Sequence, residues 1–233
     1  MAVTPELLST FTIFKPLSGL VLTELAKQAS VVKFARRGVV LRAGKTEDHI
    51  CLLFEGRLQG VDFTIDGREV GLYFVEPGEF CGEVSIFDAG PQPEFVIALT
   101  PAVVVSVPMS SLREVMPKAP SVVNELGLKL ATRVRQMIFQ RSLLALPNVP
   151  QRVCCQLWEL VPEKDKRSTV QSQINNPPTH MEIAIMLNLS RETVTRVFQS
   201  LQNRQIVKRD GSAKLLVNNV AALEKLANGS EAL

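Results

Sequence analysis

Two helix starts lie close together near the C-terminus, and their spacing constrains the fold more than any other feature of the sequence. Thr179 is followed three positions later by Glu182, which predicts a capping box, where each side chain accepts a hydrogen bond from the other residue's backbone amide. Ser190 suits the N-cap of a second helix, and Asn188 readily adopts the left-handed conformation of a tight turn. The sequence therefore predicts a helix-turn-helix.

The second predicted helix has one apolar face and one charged face. Its apolar residues recur at helical spacing: Val194, Val197, Phe198 and Leu201. The opposite face carries the polar residues Arg191, Glu192, Thr195, Arg196 and Gln199. Arginine can donate two hydrogen bonds to guanine, and glutamate can accept one from cytosine, so this face suits base reading in the major groove. The alternative is a charged face that is only solvated.

The segment after these helices favours a nucleic-acid partner. Gln205–Arg209 and Ala213–Val217 flank an Asp210-Gly211 pair, which predicts a β-hairpin in the position of a wing. The net charge of the chain is +3, and residues 178–214 hold six Lys and Arg against three Asp and Glu. Residues 1–144 are balanced, with 15 basic and 15 acidic side chains. Double-stranded DNA is therefore expected to meet the C-terminal part of the chain.

The first half of the chain has the pattern of a small all-β domain. Short apolar runs predict the strands Val39–Arg42, Ile50–Phe54, Leu58–Phe63, Val70–Phe74, Phe95–Leu99 and Val103–Val107. The Asp66-Gly67 pair predicts a hairpin turn between two of them. Before the strands, residues 4–29 have helical spacing that Pro16 interrupts.

A long helix is predicted from Pro120 to about Ala145. Apolar residues with a seven-residue repeat and its intermediate positions predict a dimer seam formed by Val123, Leu126, Leu130, Val134, Met137 and Leu144. The alternative is a helix that packs against its own β-domain. The chain turns at Pro147–Pro150 and a further helix begins near Gln151. We therefore expect three parts: a sensory domain at 1–117, a dimerisation helix at 118–146 and a DNA-binding domain at 147–233.

The motif Ser190-Arg191-Glu192-Thr193-Val194-x-Arg196 is similar to the recognition helix of the CRP/FNR family of bacterial transcription regulators. The resemblance implies an α+β fold: an N-terminal cyclic-nucleotide-binding β-roll (jelly-roll), a long central dimerisation helix and a C-terminal winged helix-turn-helix. It implies that Arg191, Glu192 and Arg196 read the bases of a palindrome with TGTGA-type half-sites. Thr179, His180 and Thr193 would lie at the phosphates, although the family has an arginine at the position of His180. Ser190 and Thr195 complete the predicted DNA-binding set, and RNA polymerase is an implied partner.

The segment from Gly78 to Gly90 resembles the family's phosphate-binding cassette, with Gly82 for close backbone approach and Glu83 for a ribose hydroxyl. The family's cyclic-AMP binders follow this loop with an Arg-Ser or Arg-Thr pair, whereas this chain has Pro93 and Glu94. A carboxylate facing a phosphate is repulsive, so an effector other than cyclic AMP is expected. Met137 and Ile138 also replace residues that contact adenine, and their side chains offer no hydrogen bonds.

Cyclic di-GMP is one candidate effector, because its two phosphates could use arginines from elsewhere: Arg57, Arg133, Arg135 or Arg141. The predicted ligand-binding residues are Gly82, Glu83, Ser85, Leu72, Tyr73, Pro93, Glu94, Met137, Arg133 and Arg141. No cofactor is certain. One alternative is a constitutive DNA binder whose β-roll holds no ligand, and another is a sensor whose helix-turn-helix binds protein.

Other chemistries find little support in the sequence. The four cysteines, Cys51, Cys81, Cys154 and Cys155, are too few for a disulfide framework and lack metal-ligand spacing, so reduced thiols and no metal site are expected. An iron–sulfur cluster needs N-terminal cysteines, and a haem sensor would have only His49 or Cys81 as single axial ligands. No catalytic motif is present, and with neither a membrane span nor a signal peptide we expect a cytoplasmic non-enzyme.

Overall fold

The computed structural model describes residues 2–167, 171–211 and 213–233. These residues form two compact units, which divide between Met137 and Ile138. The division falls inside the helix that the sequence predicts as a separate dimerisation segment. The α+β fold class, with a β-roll, a long helix and a helix-turn-helix, is confirmed.

Two short helices begin the first unit. Helix α1 spans Pro5–Ser9, and Thr4 caps its start by accepting a hydrogen bond from the Leu7 amide. Helix α2 spans Gly19–Gln28 and begins after the interruption that Pro16 predicts. Apolar side chains of both helices, including Leu8 and Leu25, are buried in the core of this unit.

Eight strands follow in the described part of this unit, and they form a β-roll of two antiparallel sheets. The strands are β1 (Ser30–Phe34), β2 (Val39–Leu41), β3 (His49–Glu55), β4 (Leu58–Phe63), β5 (Glu69–Val75), β6 (Phe80–Cys81), β7 (Phe95–Ala98) and β8 (Ala102–Pro108). One sheet has the order β1-β8-β3-β6 and the other β2-β7-β4-β5. All six predicted strands are present. Strands β1 and β6 were not predicted.

The segment between β6 and β7 holds a short helix, α3 (Ser85–Asp88). The hairpin turn predicted at Asp66-Gly67 lies between β4 and β5, and Gly67 has a φ of 78°, which glycine adopts readily. Helix α4 (Met109–Val115) and a 3₁₀ turn (Met116–Lys118) follow the roll. They lead into the long helix α5, Pro120–Leu144, as predicted.

The second unit contains the remaining elements. They are α6 (Val149–Glu159), α7 (Glu163–Lys166), β9 (Ser172–Asn175), α8 (His180–Leu187), α9 (Arg191–Asn203), β10 (Val207–Asp210), β11 (Lys214–Val217) and α10 (Val220–Asn228). Strands β10, β11 and β9 pair in that order, and β9 was not predicted. The apolar faces of α6, α9 and α10 share one core, which contains Leu157, Phe198 and Leu223. None of the helices in the described ranges is both long and apolar enough to cross a membrane.

Candidate DNA-binding surface and effector pocket

Helices α8 and α9 have the caps that the sequence predicts. The Thr179 hydroxyl oxygen accepts from the Glu182 amide at 3.2 Å, and the Glu182 carboxylate accepts from the Thr179 amide at 2.9 Å. Asn188 ends α8 with a φ of 51°, in the left-handed region. Ser190 caps α9 by accepting from the Thr193 amide at 3.1 Å. The prediction of a helix-turn-helix is confirmed.

Helix α9 presents its charged face away from the core. Its four predicted apolar residues are buried, whereas Arg191, Glu192 and Arg196 are exposed. Thr195 and Thr193 are half-buried on the same helix. Hydrogen bonds from its own backbone amide and from Ser190 hold the pKa of Glu192 below its ordinary value. Glu192 is therefore an ionised hydrogen-bond acceptor at neutral pH.

His180 is half-buried at the start of α8 and contacts α9. Its Nδ1 atom lies 3.0 Å from Thr195 Oγ1, and its ring stacks on Phe198 with 4.3 Å between the ring centroids. Burial lowers the pKa of His180, and the charges of Arg209 and Arg191 lower it further. The imidazole is therefore neutral at neutral pH, unlike the arginine that the resemblance implies here.

The predicted wing is present as the β10–β11 hairpin. Arg209 on β10 donates a hydrogen bond from Nη2 to the Pro178 carbonyl oxygen at 3.3 Å, which holds the wing against the start of α8. Arg209 was not a predicted site residue. The local excess of basic residues in 178–214 was the signal that could have found it.

The cassette of the β-roll has the backbone that the sequence predicts. Gly82 has a φ of 88°, and a Cβ atom there would lie 3.1 Å from Leu41 Cδ1 and 3.3 Å from the His49 carbonyl oxygen. Glu83 and Ser85 are buried.

Two residues that were not among the predicted site residues hold the cassette in place. Gln92 donates from Nε2 to Ser85 Oγ at 3.1 Å, and Arg113 of α4 donates to the Ser85 and Ile86 carbonyl oxygens at 2.9 and 3.1 Å.

The predicted ligand residues are largely engaged with one another. Glu94 is buried and accepts a hydrogen bond from the Tyr73 hydroxyl, and burial raises the pKa of Glu94. The Arg133 guanidinium lies over the Tyr73 ring, 3.1 Å from its centroid, and Arg133 Nε lies 3.3 Å from Glu83 Oε1. Arg133 is therefore paired with Glu83 inside the roll, while its Nη2 atom has no hydrogen-bond partner among the described residues.

The other predicted ligand residues do not take part in these buried contacts. Leu72 is half-buried against the core of the roll. Pro93, Arg135 and Arg141 are exposed, and Met137 is 60% exposed, so the structure does not enclose these side chains in a pocket. Their role at a ligand stays a prediction. Arg57 is buried and pairs with Glu76 at 2.5 Å.

Cys81 and His49, the two residues that could each have served as a single axial ligand of a haem, both contact other residues of the chain. Cys81 is fully buried, and its thiol donates to the Cys51 carbonyl oxygen at 3.7 Å. His49 lies beside Asp48. The described residues contain no cluster of three or more His, Cys, Asp and Glu side chains that could hold a metal ion.

The predicted dimer seam lies along α5. Val123, Val134, Met137 and Leu144 are exposed, and Leu130 is half-buried. Leu126 is instead fully buried with the core of the first unit, beside Val122. Its predicted place in the seam was therefore wrong, because this position of the helix faces the chain's own roll.

Comparison with known proteins agrees with this architecture. Residues 31–118 match the model of the cyclic nucleotide-binding domain, and residues 151–226 match that of the Crp-like helix-turn-helix domain. A CRP-like cAMP-activated global transcriptional regulator of Mycobacterium tuberculosis is 28% identical over 211 residues, which cover 91% of this chain and 94% of that protein. The cyclic AMP receptor protein of Thermus thermophilus is 28% identical over 178 residues, covering 76% and 79%.

Solved structures share the fold. FixK2 from Bradyrhizobium japonicum superposes with a TM-score of 0.71 at 22% identity, covering 85% of this chain and 96% of its own. The c-di-GMP responsive global regulator CLP of Xanthomonas campestris has a TM-score of 0.64 at 21% identity, covering 83% and 96%.

The β-roll, the capped helix pair and these matches define a DNA-binding transcription regulator rather than an enzyme. More particularly, the chain belongs to the CRP/FNR family, and it lacks the phosphate-binding Arg-Ser pair of the family's cyclic-AMP binders.

Proposed function

We propose that this chain works as a homodimer that reads a palindromic DNA site with TGTGA-type half-sites. The exposed charged face of α9 carries this proposal. Arg191 and Arg196 supply donors for guanine, and the ionised Glu192 supplies an acceptor for cytosine. All three residues match the recognition-helix motif of the family.

Phosphate contacts hold such a helix in register. Thr179, Ser190 and Thr193 lie at the N-termini of α8 and α9, where free backbone amides and the helix dipole favour an anion. Lys208 and Lys214 are exposed on the wing and add positive charge. His180 and Thr195 complete this surface between the two helices.

Dimerisation through α5 is supported by a stripe of residues spaced alternately by four and three. It contains Val123, Gly127, Leu130, Val134 and Met137. Gly127 is exposed, and a Cβ atom there would meet nothing within 4 Å. A glycine in a helix interior costs about 0.5–1 kcal/mol relative to alanine, and close approach of a partner helix would account for it. A two-fold dimer would place its recognition helices about 34–36 Å apart, one turn of DNA.

The effector would differ from cyclic AMP, although the Mycobacterium and Thermus relatives are named for that nucleotide. Glu94 occupies a cation's place, and Arg133 already pairs with Glu83. Cyclic di-GMP remains a candidate because one structural neighbour is named as responsive to it. A cyclic dinucleotide that used Arg57 or Arg133 would have to displace the Arg57–Glu76 pair, in which the Glu76 side chain is 39% exposed, or the buried Arg133–Glu83 pair. A ligand-free roll, the other candidate, is favoured by these pairs.

Fluorescence anisotropy with a labelled duplex tests the proposal. The full-length protein is titrated against the TGTGA palindrome, a single half-site and a scrambled duplex, each alone and with cyclic AMP, cyclic GMP or cyclic di-GMP. We expect tight binding to the palindrome, weaker binding to the half-site and no response to cyclic AMP. Equal affinity for palindrome and scrambled DNA would contradict sequence reading, and no DNA binding would favour a helix-turn-helix that binds protein. If the protein activates transcription, RNA polymerase is its further partner.

A further inference from the structure

The long helix α5 contacts the cassette of the roll through two basic residues one turn apart. Lys129 Nζ lies 2.8 Å from Glu79 Oε1, and Arg133 Nε lies 3.3 Å from Glu83 Oε1. The two acids are also four residues apart. Lys129 lies in addition over the Phe80 ring, with its Nζ atom 5.7 Å from the centroid. Helix and cassette are therefore joined by matched charges without any added molecule.

The second of these pairs lies inside the roll. The side chains of Arg133 and Glu83 are 9% and 3% exposed, so water screens their interaction weakly. The guanidinium also stacks on Tyr73, whose hydroxyl donates to Glu94. Gly60 lies under this ring, because a Cβ atom there would approach Tyr73 Cζ to 2.5 Å. The absence of a side chain at Gly60 thus lets Tyr73 lie flat and hold Arg133 in place.

Side chains from outside the cassette also orient its polar groups. Gln92 Nε2 donates to Ser85 Oγ and also contacts the Gly82 carbonyl oxygen at 3.4 Å. Glu83 would meet a ribose hydroxyl by resemblance, but Arg133 holds it instead. Gln92 and Arg133 each keep one buried polar atom, Gln92 Oε1 and Arg133 Nη2, without a hydrogen-bond partner among the described residues. These groups are therefore oriented by one another.

We propose that Arg133 is a built-in occupant of the effector pocket, which joins the cassette to α5 and so keeps the two packed together without an external nucleotide. An anionic nucleotide would meet Glu94 and would have to break the Arg133–Glu83 pair. A ligand changes an equilibrium only through unequal affinity for two states, and here Arg133 already pairs with Glu83, the residue expected to bind a ribose hydroxyl. Arg133 is then a positioning residue, and its effect on DNA rests on the proposed function.

Hydrogen–deuterium exchange of the full-length protein tests the proposal without DNA. The amides of residues 80–88 and 129–137 are followed with no ligand and with millimolar cyclic AMP, cyclic GMP or cyclic di-GMP. We expect slow exchange in the cassette without ligand and no change with any nucleotide. Arg133→Met keeps an apolar chain of similar length over Tyr73 but removes the charge, and it should speed cassette exchange at least tenfold. Arg36→Met is the matched control, because Arg36 is an exposed arginine in the loop between β1 and β2, outside the cassette and α5, and this variant should exchange like the wild type.

A double-mutant cycle separates pairing from general loss of packing. Arg133→Met leaves the Glu83 carboxylate buried without its cation, whereas adding Glu83→Gln removes that unpaired charge. The double variant should therefore exchange more slowly than Arg133→Met alone. Binding to the palindrome should weaken at least tenfold in Arg133→Met and be unchanged in Arg36→Met.

Three results would overturn the inference: fast cassette exchange in the ligand-free wild type, further slowing by any of the nucleotides, or equal exchange in the two methionine variants. A wild type that binds no palindrome would contradict the proposed function, and the exchange measurements would still decide the role of Arg133.

Discussion

The Nδ1 atom of His180 lies 3.0 Å from the hydroxyl oxygen of Thr195, and that hydroxyl lies 2.9 Å from the carbonyl oxygen of Arg191. A carbonyl oxygen only accepts, so the single hydroxyl proton of Thr195 points to Arg191 when both contacts are made. His180 then donates from Nδ1, and in the neutral ring Nε2 is an acceptor. Neutral His180 therefore has no second proton to donate to a phosphate.

We predict that DNA binding tightens as the pH falls from 7.5 to 6, because a phosphate at Nε2 favours the doubly protonated ring. Burial, Arg209 and Arg191 lower the pKa of His180 in the free protein, so the proton is taken up on binding. Affinity should rise by at most about tenfold per pH unit for each half-site, since each His180 binds one proton. Anisotropy titrations at several pH values measure this slope.

His180→Gln and His180→Arg are the controls for this pH dependence. Glutamine is neutral and arginine is charged at every pH tested, so both variants should lose the slope, and only the arginine variant should bind tightly at pH 7.5. A slope that persists in both variants would assign the pH dependence to another group.

Arg191→Ala is expected to remove one base contact. The loss should be about 1–3 kcal/mol of binding free energy at the preferred site, with relaxed preference at one position in each half-site. Anisotropy with a set of single-base variants of the palindrome measures both effects. Lys225→Ala is the control, because Lys225 is exposed on α10, whose apolar face packs with α6. If Arg191→Ala weakened all duplexes equally, Arg191 would be a phosphate contact instead.

Met137→Glu is expected to convert the dimer to a monomer. Met137 is 60% exposed on the stripe of α5, and at a two-fold interface its replacement would bury two charged side chains where two apolar side chains had packed. Sedimentation velocity measures the change in mass. Leu20→Glu is the matched control, since Leu20 is 83% exposed on α2. An unchanged dimer with Met137→Glu would place the interface elsewhere.

Gly60→Ala is expected to destabilise the first unit. The added Cβ would lie 2.5–2.8 Å from three atoms of the Tyr73 ring. Overpacking of this kind costs about 1–3 kcal/mol of the free energy of unfolding, which urea denaturation followed by circular dichroism measures. Adding Tyr73→Leu should recover part of the loss. Gly19→Ala should change little, because nothing lies within 4 Å of a Cβ atom there. Equal losses at both glycines would show that the Tyr73 ring is not the cause.

Tyr73 is the single tyrosine of the chain, so its ionisation can be followed by ultraviolet absorbance. Burial raises its pKa well above the ordinary value. The folded state thus binds the phenolic proton more tightly than the unfolded state, and this stabilisation is present below about pH 10 and is lost as the pH rises further. We predict that Tyr73 ionises only together with alkaline unfolding. Ionisation near pH 10 with unchanged circular dichroism would contradict its burial.

The DNA-binding elements were predictable because their signals are local. Thr179 and Glu182 are three residues apart, and Asn188 and Ser190 lie within the same turn, so hydrogen bonds between near neighbours determine where both helices begin and end. The charged face of α9 follows from its helical period alone. The strands with clear apolar runs were predictable for the same reason. The two-residue strand β6 and the polar strand β9 form only because distant partners, β3 and β11, pair with them.

The contacts of the cassette were decided by tertiary structure. Leu126 and Leu130 both fit the period of an amphipathic helix, so the sequence alone does not say which of them is buried. Packing against the roll buries Leu126 fully, whereas Leu130 is half-buried and Val134 is exposed. Arg133 and Glu83 are 50 residues apart, and Tyr73 and Glu94 are 21 apart. No periodicity or spacing links such residues, because their contact depends on how the β-roll closes and which face of α5 meets it. The sequence by itself determined a capped helix-turn-helix and a β-roll, and only the folded chain brought Arg133 against Glu83 and Tyr73.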